Sequence, residues 1–502
     1  MGLSFKSFAK AVVKVVVHAA ITFAVTLTLG PAAGTAYAYS ALSYEASRAL
    51  RPSLGGRGGT ERKRGYEVTQ RGSTISHQII YGKMKVAGAR IFDGTTGTEN
   101  VDLHRVVAFA GHEITSFEQI YINDEVATID GSGTVTSPSR YQGKIKIYEH
   151  LGSPDQAADS NLVSAVSSWT SNHRLRGIAY LYCKFTFDVD AFPNNVPEIT
   201  AVIKGKKVYD PRSPSAANAW SDNPALCVRD YLTATGYGLG EATANINDTA
   251  FIAAANICDE TNTTAGTTRY TTNGAFTTAI EPQELIADLM TSMGGTIWYT
   301  QGYWNVKAAK WTTPVTDVNG ATLVLNEDDL RSGISLSTRH SRRDNFNIVN
   351  GTFRGEESNW VVTDFPPVTN LTLATALVDG GSYSITEVGT TDFTLVGAIS
   401  NTVGVVFTAD LEDGPATGTG KTNAYLGVDN GQESSIDYDL PWTDNSIEAR
   451  RTARIVLERN RQQLSFTASY GLRAFQLQTG DNVRVTNTRL GWTNKEFEVV
   501  SW

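Results

Sequence analysis

Residues 176–240 read RGIAYLYCKFTFDVDAFPNNVPEITAVIKGKKVYDPRSPSAANAWSDNPALCVRDYLTATGYGLG and decide the fold of this chain. A β-rich run at 178–187 is followed by the turn-forming segment 190–197 and by a second β-rich run at 199–203. This pattern predicts two strands, the second of which turns at Gly205 into a short strand at 207–209.

The second half of the same stretch predicts a helix. Residues 210–214 contain two prolines that interrupt regular structure. Asn223 and Pro224 then provide a cap and a first-turn proline for a helix over 225–232. The glycines of 236–240 end the helix. Nothing in this arrangement of strands, turns and helix requires a catalytic residue.

Several blocks of the sequence resemble the central hub proteins at the tail tip of long-tailed bacteriophages, of the phage lambda host-specificity protein J type. The resemblance spans residues 176 to 502 in one order. The blocks that carry it are ITAVIKGKKVYDPR (199–212), SDNPALCVRDYL (221–232), LNEDDLRSGI (325–334), 339–350, VNGTF (349–353), IDYDLP (436–441), LERNRQQL (457–464), FQLQTGDNVRV (475–485) and FEVVSW (497–502). These blocks indicate a role, and they contain no active-site motif.

This resemblance implies a structural virion protein located at the distal tip of the tail and assembled in the host cytoplasm. It implies a homotrimer in which each subunit supplies two tube-like β domains, so that three copies match a sixfold tail. Implied partners are the distal tail protein ring, the tape-measure protein, and tail fibres or receptor-binding proteins. The hub would close the lumen and open for genome ejection on host attachment, and DNA would pass without sequence-specific binding.

Length and composition predict a mainly β, multidomain protein with some helix. The chain has 502 residues, 45 glycines and 19% charged residues, which is too long for one ordinary core. Its wealth of Thr, Ser, Asn and Val favours strands over helices. The net charge of −8 gives no overall reason to bind nucleic acid.

Changes in sequence texture predict six segments. The predicted segments are an apolar N-terminal segment at 1–50, a basic Gly-rich linker at 51–65, a β-rich hub domain at 66–175, a central α+β hub domain at 176–370, a small β insertion at 371–423, and a C-terminal β hub segment at 424–502. The insertion interrupts the family pattern with short β runs between Gly- and Thr-rich turns, and it is expected on the outer surface, for glycan or neighbour contact or as decoration.

The N-terminal segment 1–50 lacks acidic residues before Glu45 and supports three interpretations. Its lysines, apolar run at 15–29 and small residues mimic a secretory signal peptide, although retention of Met1 argues against cleavage. The uncharged run at 19–38 is also long enough for a membrane-directed plug, which would meet the host membrane. Alternatively, Lys6, Lys10 and Lys14 form one polar stripe on a helix whose apolar faces pack together in the assembly.

The motifs that suggest chemistry each have a simpler explanation. Segment 414–422 lacks one glycine of a phosphate loop because position 415 is proline, and no helix pattern is evident after it. His112-Glu113 lacks the second histidine of a zinc protease. Asp188 with Asp190, and the acids of 327–329, fit turn and helix-start chemistry. The arginines at 450, 451, 454, 459 and 461 fit a solvated or interface face of a helix over 447–463, with a DNA-facing role as the alternative.

Cysteine usage predicts neither a disulfide framework nor a zinc site. Cys183, Cys227 and Cys258 are odd in number, widely spaced and without a CxxC pair. We therefore predict no catalytic residues, no cofactor and no metal. The alternatives are a tail-associated enzyme that hydrolyses host cell wall or capsule, and a membrane-anchored hub of a secretion system.

Overall fold

A computed structural model describes residues 68–500, apart from 73, 194, 263–265, 339–343 and 413. These residues form two compact units, and the boundary falls between Lys310 and Trp311. The predicted segments 1–50 and 51–65 lie outside the described residues. Each unit is described by itself below.

Unit 1 is built mainly from strands. Its strands are β1 (Gln78–Tyr81), β2 (Lys83–Ala87), β3 (Ala89–Thr96), β4 (Asp102–Ala110), β5 (Ile114–Ile122), β6 (Glu125–Ile129), β7 (Val135–Ser137), β8 (Ile145–His150), β9 (Ala179–Thr186), β10 (Ile199–Val208), β11 (Ala219–Trp220), β12 (Thr261–Asn262), β13 (Thr267–Thr268), β14 (Gly274–Thr277), β15 (Thr296–Thr300) and β16 (Tyr303–Lys307). Its helices are α1 (Ser160–Ala165), α2 (Pro224–Thr233), α3 (Asp248–Cys258) and α4 (Pro282–Ser292).

Two larger sheets organise unit 1. One has the order β11-β10-β5-β6-β7, and β2 also pairs with β10. The other has the order β3-β4-β9-β8 and packs a cluster of buried aromatic and aliphatic side chains against α1. Strands β1 and β14 form a separate antiparallel pair, as do β12 with β13 and β15 with β16.

Two glycines act differently from their sequence-based expectation. Gly205 was predicted to turn the chain, but β10 runs through it without a break. A Cβ at this position would lie 2.1 Å from the carbonyl oxygen of Ile80, so glycine here allows β1 to approach β10. The sequence of 83–91 predicts one strand, but Gly88 divides it into β2 and β3, which enter different sheets.

The helices follow the predicted positions with small changes at their ends. Helix α2 begins after Asn223, whose side chain accepts the backbone N–H groups of Ala225 and Leu226. The sequence of 157–169 predicts one short helix, but α1 is shorter, because Asp159 caps it and the backbone leaves helical geometry at Val166. Helix α4 starts at Pro282, with proline in its first turn as expected.

Unit 2 consists of short strands in small sheets. Its strands are β17 (Val324–Leu325), β18 (Ser335–Ser337), β19 (Ile348–Asn350), β20 (Thr352–Arg354), β21 (Val362–Asp364), β22 (Val368–Thr369), β23 (Leu371–Leu373), β24 (Ser382–Glu387), β25 (Val406–Thr408), β26 (Lys421–Asn423), β27 (Ser435–Asp437), β28 (Ser465–Thr467), β29 (Asn482–Asn487) and β30 (Trp492–Glu498). Its helices are α5 (Ala424–Val428) and α6 (Ser446–Arg461).

Residues 371–423 form a sheet of their own in unit 2, with the order β23-β26-β24-β25. A separate hydrophobic cluster, which includes Tyr383, Ile385, Phe393 and Phe407, lies against this sheet. The other sheets of unit 2 are β17-β29-β30, β22-β19-β27, β18-β28 and β20-β21. Helix α6 packs its buried Ala449, Ala453 and Leu457 against the second of these.

The prediction of a mainly β, multidomain fold with some helix is confirmed. Within the described residues, no helix combines the length and apolarity needed to cross a bilayer. The compact units divide at 310/311, whereas the predicted boundaries were at 175/176, 370/371 and 423/424. Strands β8 and β9 lie on either side of residue 175 and share one sheet. The predicted boundaries stay predictions.

Candidate functional site

Strand β10, which carries much of the family resemblance, is the central strand of its sheet. It pairs with β5 and β2 along most of its length and with β11 at its C-terminal end. Helix α2 also contacts β10, and α3 and α4 contact α2. The two resembling blocks of unit 1, 199–212 and 221–232, therefore meet at one place, and their side-chain contacts show what they do there.

Arg212 ties the segment after β10 to the end of helix α3. Its guanidinium makes a bidentate contact with Asp210 and reaches the Asp259 carboxylate at 2.6 Å. The amide of Asn223, the cap of α2, donates to the same Asp259 at 2.8 Å. Planar donors suit this bidentate recognition of carboxylates. The contact holds two helices and a strand end in one arrangement.

Arg229 fastens helix α2 to the start of α3. Its side chain is 5% exposed, and two of its nitrogens donate to the carboxylate of Asp248 at 2.8 and 3.2 Å. The guanidinium also lies 4.6 Å from the centre of the Tyr209 ring. A nearly buried arginine requires such partners, so this residue is structural.

Asp230 accepts hydrogen bonds from two tyrosines on the other side of α2. Tyr81, at the end of β1, donates at 2.7 Å, and Tyr237 donates to the same oxygen. Burial raises the pKa of both phenols, and the nearby charge of Asp230 raises it further. The tyrosines therefore stay protonated donors, and β1 is held to α2.

His112 is a buried, neutral connector between the larger sheets and β1. Its Nε2 accepts the backbone N–H of Ile80 at 3.0 Å, which requires that Nδ1 carry the proton and donate to the Glu113 carbonyl at 2.8 Å. Burial lowers the pKa of His112 to about 4, and the charge of Lys206 acts in the same direction. The pair His112-Glu113 thus has a structural role.

A lysine face, defined by Lys83, Lys85, Lys204 and Lys206, was not found by sequence reasoning. Strands β2 and β10 pair so that Lys204 lies directly opposite Lys83, and alternation places Lys85 and Lys206 on the same side. The signal that would have revealed it is lysine at alternate positions in two strands that pair with each other.

The acidic motifs singled out in the sequence act in turns and caps. Asp188 accepts the backbone N–H groups of Asp190 and Ala191 and contacts Lys144 at 2.6 Å. Among 327–329, the Asp329 carboxylate accepts the backbone N–H of Asn326 in a capping box. These contacts use the carboxylates in local structure.

The segment that imitates a phosphate loop ends in strand β26. Lys421 lies in that strand and contacts the exposed carboxylate of Glu387. The five-residue helix α5 begins right after it, although no helix was expected there. A Cβ at Gly420 would meet the Phe393 ring at 2.6 Å, so this glycine serves the packing of a side chain.

The arginines of helix α6 divide between contacts within the unit and exposure. Arg461 is 7% exposed and pairs with Asp429 while lying over the Tyr425 ring. Arg454 is 56% exposed and lies 3.7 Å from Glu458. Arg450 and Arg459 are also exposed. The interface and DNA-facing interpretations of these exposed arginines stay open.

The three cysteines are buried and reduced, and burial raises the pKa of the Cys183 thiol to about 12. In the described part of the chain, no group of three or more His, Cys, Asp or Glu side chains could hold a metal ion. A shallow depression of about 430 Å³ is lined by residues on and around α1, including Gln156, Arg174 and Arg176. Its lining contains serines and one aspartate but no histidine, cysteine or lysine.

No protein-family model matches the chain. Among curated proteins, it is 28% identical over 211 residues to the baseplate hub protein pb3 of Escherichia phage T5. The match covers 32% of this chain and 22% of that protein, so the chain corresponds to about a fifth of the relative's length. The chain is thus a distant homologue of a phage hub protein.

Among solved structures, the fold is similar to a chain in the virion of a native gene transfer agent particle. The TM-score is 0.52, and the match covers 93% of this chain and 90% of that one at 15% sequence identity. A likeness at this identity concerns the fold alone. The similarity to the baseplate hub protein supports a phage tail hub in general and does not select the lambda type.

Proposed function

We propose that this protein is the structural hub of a phage tail tip. The observation that carries the proposal is the homology to a baseplate hub protein. The fold likeness to a chain of a phage-like particle, over nearly the whole length, is consistent with it. The packing roles of Arg212, Arg229 and Asp230 fit a protein that works through its architecture.

In this proposal three copies form a ring at the distal tip of the virion tail. The ring joins the distal tail protein above to fibres or receptor-binding proteins outside, and it contacts the tape-measure protein in the lumen. Closing β domains into a ring removes exposed sheet edges. Receptor binding would open the ring, and the tape measure and DNA would then pass.

The segments outside the core of the hub receive separate roles. Residues 371–423 would lie on the outer surface, where a self-contained sheet does not disturb the ring. Residues 1–50 would pack together in the assembly and meet the host membrane on release. Leakage of liposomes caused by a peptide of residues 1–50 is the expected result, and the membrane role fails if the peptide neither binds lipid nor causes leakage.

Measuring the mass of the purified full-length protein and imaging it by electron microscopy tests the hub. We expect a trimer and a threefold ring. A monomer at every concentration, together with absence of the protein from purified virions, would contradict the proposal. Zymography on purified cell walls addresses the alternative enzyme, and clearing by the pure protein would favour a tail-associated hydrolase.

A further inference from the structure

Two arginines, Arg174 and Arg176, line the depression of about 430 Å³ beside helix α1. The Nε of Arg174 donates to the Ser171 carbonyl at 3.2 Å, and the Nε of Arg176 donates to the Gln156 carbonyl at 3.4 Å. The terminal nitrogens of both guanidinium groups make no hydrogen bond and no ion pair with any residue that the structure describes. These nitrogens are therefore left for a ligand in the depression.

The backbone between the two arginines is strained. Leu175 has a φ of 47°, in the left-handed region that a bulky side chain rarely adopts. Residues of this kind persist only where the surrounding structure fixes them, and they cluster at functional sites such as ligand clamps. The strain thus lies at the point of the chain that sets both arginines beside the same depression.

Gln156 fixes this strained loop. Its side chain is buried, and the amide nitrogen donates to the carbonyl oxygens of Arg174, Leu175 and Ile178 at 3.1, 2.9 and 3.3 Å. The amide oxygen accepts the backbone N–H of Gly152 at 2.8 Å. Both ends of the amide are therefore engaged. A loop that is held in this way is preorganised, which lowers the entropy cost of binding a ligand.

The rest of the lining is polar or small. It contains one carboxylate, Asp155, which accepts the Ser153 hydroxyl at 2.7 Å and also interacts with Arg176. The lining therefore holds two positive charges and one negative charge. Three serines, at 160, 164 and 171, add hydroxyl groups, and Val163 is the largest apolar residue.

From this geometry we propose that the depression binds a sugar unit that carries a carboxylate or phosphate group. The guanidinium groups of Arg174 and Arg176 hold the anionic group, because arginine matches the oxygens of either group in geometry and charge. The serine hydroxyls meet the hydroxyls of the sugar. The volume is that of a small-molecule site, and the lining lacks the large apolar side chains that form the core of a protein interface. The inference goes beyond the hub function and does not depend on it.

Saturation-transfer difference NMR with the full-length protein tests the proposal, with glucuronate, glucose 6-phosphate and glucose as probes. We expect an anionic sugar to bind, and glucose, which has the same ring without the charge, to bind at least about tenfold more weakly. Binding of glucuronate in preference to glucose 6-phosphate identifies the anionic group as a carboxylate, and the reverse preference identifies it as a phosphate.

Three variants locate the site. Arg174→Gln/Arg176→Gln should weaken binding of the anionic sugar by at least about tenfold, because it removes both guanidinium groups. The matched control, Arg71→Gln/Arg140→Gln, removes two exposed arginines that do not line the depression, and it should bind as the unmodified protein does. Asp155→Asn removes the one carboxylate of the lining and should strengthen binding.

Four results would overturn the inference. They are absence of binding by both anionic sugars, equally tight binding of glucose, equal loss of binding in the two double variants, and tighter binding of inorganic phosphate or tetraglutamate than of either sugar. The last result would identify a simple anion or an acidic protein as the ligand. The melting temperature of each variant confirms that it is folded. The hub proposal is tested separately, since ring formation and virion incorporation are measured without sugar.

Discussion

Segments 176–240 and 371–423 are both held by polar side chains, but the chemistry differs. In the first, arginines pair with carboxylates at the two ends of helix α3, as in the contacts of Arg229, which is 5% exposed, with Asp248 and of Arg212 with Asp259. In the second, the contacts are hydrogen bonds of hydroxyl and amide groups. Asn401 accepts the backbone N–H of Phe393 and donates to the Thr391 carbonyl, and Gly420 N–H donates to the Thr391 hydroxyl.

The difference also appears at the surface. Segment 371–423 contains six acidic residues and one lysine, but none of them lies between 393 and 408. Leu395, Ile399 and Val403 in that uncharged run are 74%, 91% and 59% exposed. These ion pairs connect α2 and the chain after β10 to helix α3, whereas the hydroxyl and amide contacts join residues within 371–423. The central segment is thus tied into unit 1, and 371–423 is stabilised mainly by its own contacts.

The largest effect is expected when a buried aromatic side chain is truncated, and its extent should differ between the two regions. Phe276 and Phe393 are fully buried, and replacing either by alanine should lower the free energy of unfolding by about 3–5 kcal/mol. Phe393→Ala should accelerate amide hydrogen exchange within 371–423 alone, whereas Phe276→Ala should do so across unit 1. The comparison fails if Phe393→Ala increases exchange throughout unit 2. Ile399→Ala, at an exposed position of the same segment, is the control.

The next effect is a pH dependence that arises in unit 1, from His112 between β4 and β5. Because the pKa of His112 is lowered to about 4 in the folded protein, the unfolded chain binds a proton between pH 6.5 and 4 that the folded chain does not. Stability should therefore fall by about 3 kcal/mol as the pH drops through this window, and no further loss from this group is expected below it.

Urea unfolding of the full-length protein between pH 7 and 4 measures this dependence. His112→Gln keeps an acceptor for the Ile80 amide but does not titrate, so its stability should vary less with pH by the same amount. An identical pH profile for the variant and the unmodified protein would show that other groups control acid sensitivity.

Loss of one inward-facing charge should have a smaller effect. Arg229→Met keeps the apolar part of the side chain but leaves Asp248 without its bidentate partner, and we expect a destabilisation of about 2 kcal/mol. Differential scanning calorimetry should show a lower melting temperature for unit 1. A variant that melts with the unmodified protein would indicate that shape, and not charge pairing, holds α2 to α3.

The smallest effect is expected when an exposed ion pair of segment 371–423 is removed. Lys421 and Glu387 are 41% and 53% exposed, and such surface pairs contribute between about 0 and 1 kcal/mol. Lys421→Gln should therefore leave the melting temperature unchanged within error. A loss as large as that of Arg229→Met would remove the contrast between buried and exposed charge pairs.

Elements whose signals lie within their own few residues were predicted well from the sequence. Helix α4 has its proline and early acid at the first turn, and the hairpin β15–β16 turns at Gln301-Gly302 as the pattern indicates. Gly205 was misjudged because glycine is a turn signal locally, and its real constraint is the backbone of Ile80, far away in sequence. The roles of Arg212 and Arg229 were out of reach for the same reason, since their partners lie on another helix.

The lysine face was missed for the same reason, because it depends on a contact between strands that are distant in sequence. Lysines at alternate positions of one strand are common and carry little information. Only the pairing of β2 with β10 brings two such strands into register and sets Lys83 against Lys204. Segment 371–423, the predicted insertion, was noticed for the opposite reason, because its composition differs from the surrounding chain over a continuous stretch.

The first and last residues of segment 371–423 are neighbours. Leu371 and Asn423 are direct partners across the antiparallel pair β23–β26, which places their Cα atoms about 5 Å apart. A segment that leaves and rejoins the chain at one point can be lost or exchanged by a single genetic event, and the flanking chain needs no more than a short turn to close. If the proposed hub function holds, phages that carry this fold can therefore acquire, lose or exchange such a piece without rebuilding the rest of the subunit.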